Sequence, residues 1–242
     1  MTLFVIVSDT KGMDLIMAQI HVLRLGKKEY MEVLELQRRL QQLRIENKIG
    51  NVLILVEHTP VLTLGRSGKY SNIVLDQIEL EKNGVKIVEV ERGGDVTYHG
   101  PGQIVGYLIF DLRDFGRDTH SFVSKIQEGI VSFLNADYNI NAEKRSGRYT
   151  GVWIDDKKIA AIGLNMKNWV SIHGFALNVN TNLNHFKWII PCGLADSGVT
   201  SLQEQIGREA DLKSVAERIA YYFSQVFESD IKNILLEELG AN

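Results

Sequence analysis

Short runs of aliphatic and β-branched residues, of strand length and bounded by turn formers, constrain this chain most. "NVLILVEH" (51–58) is a continuous apolar run that suits a buried strand. "VLTLG", "VKIVEVER", "IVGYLIFDL" (Ile104 to Leu112) and "SIHGFALNVN" have the same character. "GVWIDDKKIAAIGLNM" predicts a hairpin, with two apolar arms about a turn at Asp155, Asp156 and Lys157. Helical spacing is confined to a few places. Met31, Leu34, Leu40 and Leu43 predict an amphipathic helix from Lys28 to Asn47. Phe122, Ile126, Ile130 and Phe133 form an apolar stripe between Thr119 and Leu134, and the chain from Asp211 onward reads as helical. Strands joined by hairpins and packed with a few helices predict an α+β domain with a mixed β-sheet. No repeat or low-complexity linker divides the 242 residues, and none of the three prolines (Pro60, Pro101, Pro191) sits in a hinge-like stretch, so one domain is expected.

Composition excludes several function classes. A net charge of −3 leaves no electrostatic footprint for nucleic acid. One cysteine makes neither an internal disulfide nor a thiolate metal cluster, which suits a reducing compartment. Leu3 to Val7 is too short for a signal-peptide core and no basic region precedes it, and no apolar run reaches membrane-spanning length. A soluble cytoplasmic protein without membrane association is the expectation.

Three stretches concentrate residues that can do chemistry. In "RGGDVTYH", followed by "GPGQ", paired glycines let backbone approach a ligand closely, and Arg92, Tyr98 and His99 supply donors of distinct geometry. The stretch lacks the glycine spacing and Lys-Ser/Thr pair of a phosphate loop, and a tight turn with incidental polar residues is the plainer alternative. Lys158 directly follows Lys157, the last residue of the hairpin turn. Alternation puts them on opposite faces, and Lys158 falls in phase with Ala160 and Ile162, so it is expected to point toward the sheet interior. Such a lysine lowers the pKa of a nearby thiol, whereas an ordinary charged turn would not. The third stretch, "IIPCGLADSGVTSL", carries Cys192. A lone cysteine more often fills space than reacts. A capping Ser or Thr in "SGVTSLQEQ", with Gln203 or Glu204 a few residues on, predicts a helix start just beyond it. His58, His99, His120, His173 and His185 are scattered without metal-ligand spacing, although His99 and His173 fall in or beside these motifs.

Taken in order, "RGGDVTYHGPGQIVGY", "GVWI…KKIAAIG", "HGFALNVN" and "PCG…GVTSL" resemble the octanoyltransferases of lipoate biosynthesis, over roughly Ile20 to the helix after Ser201. The resemblance implies the α+β fold shared by biotin and lipoate protein ligases. It implies transfer of an octanoyl group from octanoyl-acyl carrier protein to one lysine on a lipoyl domain of a 2-oxoacid dehydrogenase or on the glycine-cleavage carrier (H-type) protein, with no cofactor and no metal. By motif position, Cys192 matches the acyl-thioester nucleophile and Lys158 the lysine that lowers its pKa. The substrate-binding positions are Arg92, Gly93, Gly94, Asp95, Val96, Thr97, Tyr98 and His99, then Ala161, Ile162 and Gly163, then Gly174, Phe175 and Ala176. Asp95 occupies a variable place in its loop and is given no catalytic role.

Residues 1–19 precede the family pattern and read as an extension, with Met13 and Met17 as alternative starts; residues 20–242 form the catalytic domain. Two rivals share the fold: an ATP-dependent lipoate–protein ligase, and an amidotransferase that moves octanoyl between carrier domains. A third rival, a non-catalytic carrier-binding protein, would leave Cys192 as packing and Lys158 as a surface charge.

Overall fold

The computed structural model describes residues 19–190 and 198–240; Cys192 lies outside these, as do residues 1–18 of the expected N-terminal extension. The elements in chain order are β1 (Gln19–Lys28), α1 (Tyr30–Ile45), β2 (Asn51–His58), β3 (Val61–Leu64), α2 (Gln77–Lys82), β4 (Lys86–Glu89), β5 (Val96–His99) and β6 (Gln103–Ile109). Then come α3 (Thr119–Tyr138), β7 (Glu143–Arg145), β8 (Gly151–Ile154), β9 (Lys157–Lys167), β10 (Val170–Asn178), β11 (Gly198–Val199), α4 (Leu202–Ile206), α5 (Leu212–Val226) and β12 (Asp230–Ile234).

The main sheet runs β12-β1-β2-β6-β10-β9-β8-β7, with β11 added beside β9. Its β12–β1, β1–β2 and β11–β9 pairs are parallel and the other pairs antiparallel, so the sheet is mixed, as expected. One face packs on α3 and α5 through Leu53, Phe175, Phe122, Ile126, Phe133 and Phe223. The other packs on α1 through Val52, Ile54, Val105, Tyr107, Val33 and Leu40. Burial on both faces is why β2 and β6 read as continuous apolar runs rather than alternating ones. A smaller sheet, β4-β3-β5, has its own apolar cluster around Leu62, Leu80, Tyr98 and Ile189.

Several expectations need correction. The first helix starts two residues later than predicted, and Met31 stays 37% exposed. Its buried face instead includes Gln37, Gln41 and Arg44, which apolar periodicity cannot detect. These side chains have polar partners inside: Gln37 Oε1 accepts the His173 N–H (3.0 Å), Gln41 donates to the Val170 carbonyl (2.8 Å), and Arg44 bonds Asn51 Oδ1 (3.1 Å) and Asp114 Oδ2 (2.8 Å). The C-terminal part is not helical throughout, because β12 follows α5 as a parallel edge strand on β1. In β12 only Ile234 is buried, so the segment lacks the apolar signature of a strand. "VTYH" is strand β5 rather than turn, held by β3. The helix start after the cysteine stretch occurs where predicted: Ser201 caps α4 by accepting the Glu204 N–H at 3.1 Å.

Candidate active site

The second arm of the hairpin carries a β-bulge. Trp153 pairs with Lys158, while Val152 pairs with Ala160, so Ile159 is the extra residue. Directly paired residues share a face. Lys158 therefore lies with Trp153, Gly151 and Ala161, and not in phase with Ala160 and Ile162 as plain alternation predicts. Val152 and Ala160 occupy the α3 face with the core. The bulge turns Lys158 into a cavity wall, half-buried, with its Nζ 5.0 Å from the centre of the Trp153 ring. Arg145 packs against the same ring at 4.7 Å.

The cavity has a volume of about 1450 Å³ and gathers most of the predicted motif residues. Lys158, Ala161, Ile162 and Gly163 from β9 line it, as do Gly174, Phe175 and Ala176 from β10 and Arg92 to Thr97 and His99 from the first loop and β5. Tyr98 does not. Alternation along β5 sends its ring into the small sheet's core, where its hydroxyl meets His185 Nδ1 at 2.7 Å and its ring packs edge-on against Trp188. Seven cationic side chains line the cavity among the described residues (Arg66, Lys69, Arg92, Lys144, Arg145, Arg148 and Lys158) against one carboxylate, Asp95. This concentration of positive charge occurs in a chain of net charge −3.

The first loop is built by its own polar groups. Arg92 is buried and its guanidinium donates to the Thr63 carbonyl (2.6 Å), Thr63 Oγ1 (2.9 Å) and the Gly93 carbonyl (3.0 Å). Asp95 accepts from the backbone N–H groups of Val96 (2.7 Å) and Lys69 (3.3 Å), so it too shapes the loop. The loop crosses β9, where the Gly93 N–H donates to the Leu164 carbonyl at 2.9 Å. A Cβ on Gly163 would meet the Gly93 carbonyl at 3.0 Å, and one on Gly174 would meet the Gly106 carbonyl at 2.1 Å. These two motif glycines are thus needed for backbone segments to approach one another.

Side-chain amides tie the motifs together. His99 Nδ1 lies 2.8 Å from Gln103 Oε1; Gln103 Nε2 donates to Asn178 Oδ1 (2.9 Å), and Asn178 Nδ2 donates to the Thr200 carbonyl (3.0 Å). The Thr200 N–H donates to the Lys158 carbonyl (3.0 Å), and Gly198 and Val199 pair with Lys157 and Lys158. Chain that leaves the described structure after Ile190 therefore re-enters it alongside Lys158.

The histidines are less scattered than their spacing suggests. His58 and His99 have ring centres 6.1 Å apart; Tyr30 stacks on His99, and Tyr107 bonds His58 Nε2 at 2.8 Å. His173 meets Tyr107 edge-on at 6.5 Å. Burial pushes all three histidines down, His99 to about 3 and His58 and His173 to about 4, so they are neutral at physiological pH. The same burial pushes Tyr30 up to about 12. Spacing missed this cluster because its members come from β2, β5 and β10; the aromatic content of α1 and β6 was the available signal. No group of three His, Asp or Glu side chains among the described residues is placed to share a metal ion.

Comparison with known proteins agrees with this architecture. Residues 29–224 match the lipoyl protein ligase A/B catalytic domain family. The chain is 48% identical to an octanoyltransferase of Caldicellulosiruptor saccharolyticus, over 91% of this chain and 94% of the relative. It superposes on a chain from the structural analysis of a bi-partite lipoate protein ligase and its E2 lipoyl domain of Thermoplasma acidophilum, with a TM-score of 0.68 (17% identity; 92% of this chain, 90% of the other). It superposes on the biotin protein ligase of Aquifex aeolicus with a TM-score of 0.52 (14% identity; 87% and 70%). The fold is that of the lipoate and biotin protein ligases, and the chain belongs to the octanoyltransferases, acyltransferases within the lipoyl protein ligase A/B catalytic domain family.

Proposed function

We propose that this enzyme moves an octanoyl group from the thioester of an acyl carrier protein to a lysine of lipoyl domains, through an octanoyl thioester on Cys192. Acceptors of this kind are the lipoyl domains of 2-oxoacid dehydrogenases and the glycine-cleavage carrier protein. The observation that carries the reading is Lys158. A bulge aims it into a cavity lined by three sequence motifs, and the chain emerging from the Cys192 segment is hydrogen-bonded beside it. A cation near the thiol favours the thiolate, which is the nucleophile. A covalent thioester divides the transfer into two steps, so that two protein substrates take turns at one cavity. The donor thioester is already activated, and no outside energy is needed. Val105 and Ala176 offer an apolar wall for the acyl chain, where each buried methylene contributes about 0.8 kcal/mol. The cationic lining suits acidic carrier domains. We assign the activity to the cytoplasm on the sequence features described above.

The test is intact-protein mass spectrometry after incubation with octanoyl-acyl carrier protein without ATP, beside Cys192→Ser. The expected result is one octanoyl adduct on the wild type, absent from the variant, removed by hydroxylamine and passed to an added lipoyl domain. Acylation that requires ATP and free octanoate would instead make the chain a ligase. Transfer only from an already octanoylated carrier domain would make it an amidotransferase, and an unreacted thiol with bound donor would make it a carrier-binding protein.

A further inference from the structure

Lys158 is held against β8 at two points. A Cβ on Gly151 would lie 3.3 Å from both its Cδ and its Cε, so the aliphatic stem runs over a residue with no side chain. Its Nζ lies 5.0 Å from the ring centre of Trp153, the residue it faces across the ladder. That distance is within cation–π reach. Trp153 has further partners. Its indole N–H donates to the Tyr149 carbonyl at 2.8 Å, the Tyr149 ring meets it edge-on at 6.0 Å, and the Arg145 guanidinium lies 4.7 Å from its ring centre. Arg145 is anchored in turn by Glu143 and by the Asp155 carbonyl (2.8 Å). The buried amide of Gln127 on α3 donates to the carbonyls of Arg145 (2.7 Å) and Gly151 (2.8 Å), which ties β7 to β8.

Filling the core does not explain this arrangement. Trp153 is 1% exposed, and an apolar residue of similar volume would bury as well. Yet two cations gather on its ring, although like charges repel. An aromatic face attracts a cation through its quadrupole, more strongly where water is displaced. Lysine is a point charge on a flexible four-carbon stem, and its pull on a thiolate falls with distance. A lysine that stabilises a thiolate must therefore be kept in place, and a ring on the facing strand can keep it there.

We propose that Trp153 is a positioning residue for the reaction: its ring holds the Lys158 ammonium on the cavity wall, beside the strand through which the chain returns from the cysteine segment. Arg145 and Tyr149 brace the ring. The inference rests on the thioester reading above and on the part Lys158 plays in it. Charged groups on the elements around Lys158 are Glu143, Lys144 and Arg145 of β7, Asp155 and Asp156 of the turn, and Glu204 of α4. Lys144 pairs with Glu128 and Glu204 with Lys157, while Arg145 shares the ring.

The test uses the full chain and two readouts: the pH dependence of Cys192 alkylation by iodoacetamide, and loading from saturating octanoyl-acyl carrier protein followed by intact-protein mass spectrometry. The variants are Trp153→Leu, Trp153→Phe, Lys158→Ala and the Trp153→Leu, Lys158→Ala double variant; a circular-dichroism melt verifies folding. In Trp153→Leu the alkylation midpoint should rise by about 0.5 unit or more. Its loading should slow about three-fold or more near pH 7, the loss of thiolate which that shift implies, and recover at about pH 9, where an ordinary thiol ionises unaided. Trp153→Phe keeps an aromatic face and should lose less than half as much. The double variant should move no further than Lys158→Ala alone. Slowing that is equal at both pH values, or equal in Leu and Phe, would make Trp153 a packing residue. A further shift in the double variant would show that it acts without Lys158, and an unshifted Trp153→Leu beside a shifted Lys158→Ala would also overturn the inference. Should Trp153→Leu not fold, a fluorinated tryptophan at position 153 keeps the shape and the N–H but weakens the pull on a cation, and an unshifted profile there overturns the inference equally. An unshifted Lys158→Ala would instead overturn the reading of Lys158, and a wild type that forms no acyl-enzyme the thioester reading; the inference falls with either.

Discussion

The backbone N–H of Thr200 donates to the carbonyl of Lys158 at 3.0 Å. The Thr200 carbonyl accepts from Asn178, whose side chain also bonds Gln103, the partner of His99. One line of hydrogen bonds thus connects β9, β10, the first motif and the strand beyond the cysteine segment. These groups are buried, so the line is costly to break.

Asn178→Ala is expected to lose roughly 1–3 kcal/mol of stability, because Gln103 and the Thr200 carbonyl lose a buried partner. The turnover number should fall with it, since the segment after β11 would lose one of the bonds that hold it beside Lys158. Urea denaturation and steady-state octanoyl transfer measure the two effects. An unchanged urea midpoint would show that water replaces the amide.

Lys158→Ala should leave the fold intact, because the side chain is half-buried and its removal opens the cavity rather than the core. The pH dependence of Cys192 alkylation by iodoacetamide should move upward by about one unit or more, toward the ordinary thiol value of about 8.5. Lys157→Ala serves as control: that lysine pairs with Glu204 at 2.9 Å on the exposed side. Equal profiles for both variants would remove Lys158 from the thiol's surroundings.

Gly174→Ala places a Cβ 2.1 Å from the Gly106 carbonyl in the centre of the main sheet, where backbone cannot give way. Gly163→Ala meets the Gly93 carbonyl at 3.0 Å, a contact relieved by a small movement of the first loop. The expected outcomes differ accordingly. Gly174→Ala destabilises by about 1–3 kcal/mol or more. Gly163→Ala folds near normally but raises KM for the donor. Thermal melts and donor titrations distinguish them, and a reversed order would mean that the loop, not the sheet, is the rigid partner.

Much of the sheet was legible because β2, β6 and β10 are buried on both faces and carry their apolar content as unbroken runs. The edge strand β12 was hidden, since its exposed polar residues have no need of that signal. Ordered motifs identified the β9, β10 and first-loop walls of the cavity. They could not reveal the orientation of Lys158, which depends on one extra residue at Ile159, nor that Tyr98 faces away. The buried polar layer of Gln37, His58, Tyr107 and His173 joins four elements far apart in sequence, and only tertiary packing assembles it.

That layer makes stability depend on pH. His58, His99 and His173 are held near 4, 3 and 4 by burial, while an unfolded histidine titrates near 6.5. Below pH 6.5 the unfolded chain binds protons that the folded chain refuses, so stability is full above 6.5 and falls as the pH drops toward the folded values. At pH 5.5 each histidine costs about 1.4 kcal/mol, or roughly 4 kcal/mol for three, a sizeable part of a typical domain's stability. Urea midpoints at pH 7.5 and 5.5 should therefore differ clearly, and His58→Asn should flatten the difference by about a third. Paired carboxylates such as Asp111 and Asp137, held low by Arg113 and Arg218, weaken the fold only at more acidic pH, so they do not produce this slope. A midpoint constant between the two pH values would mean that these rings take up protons without leaving their places.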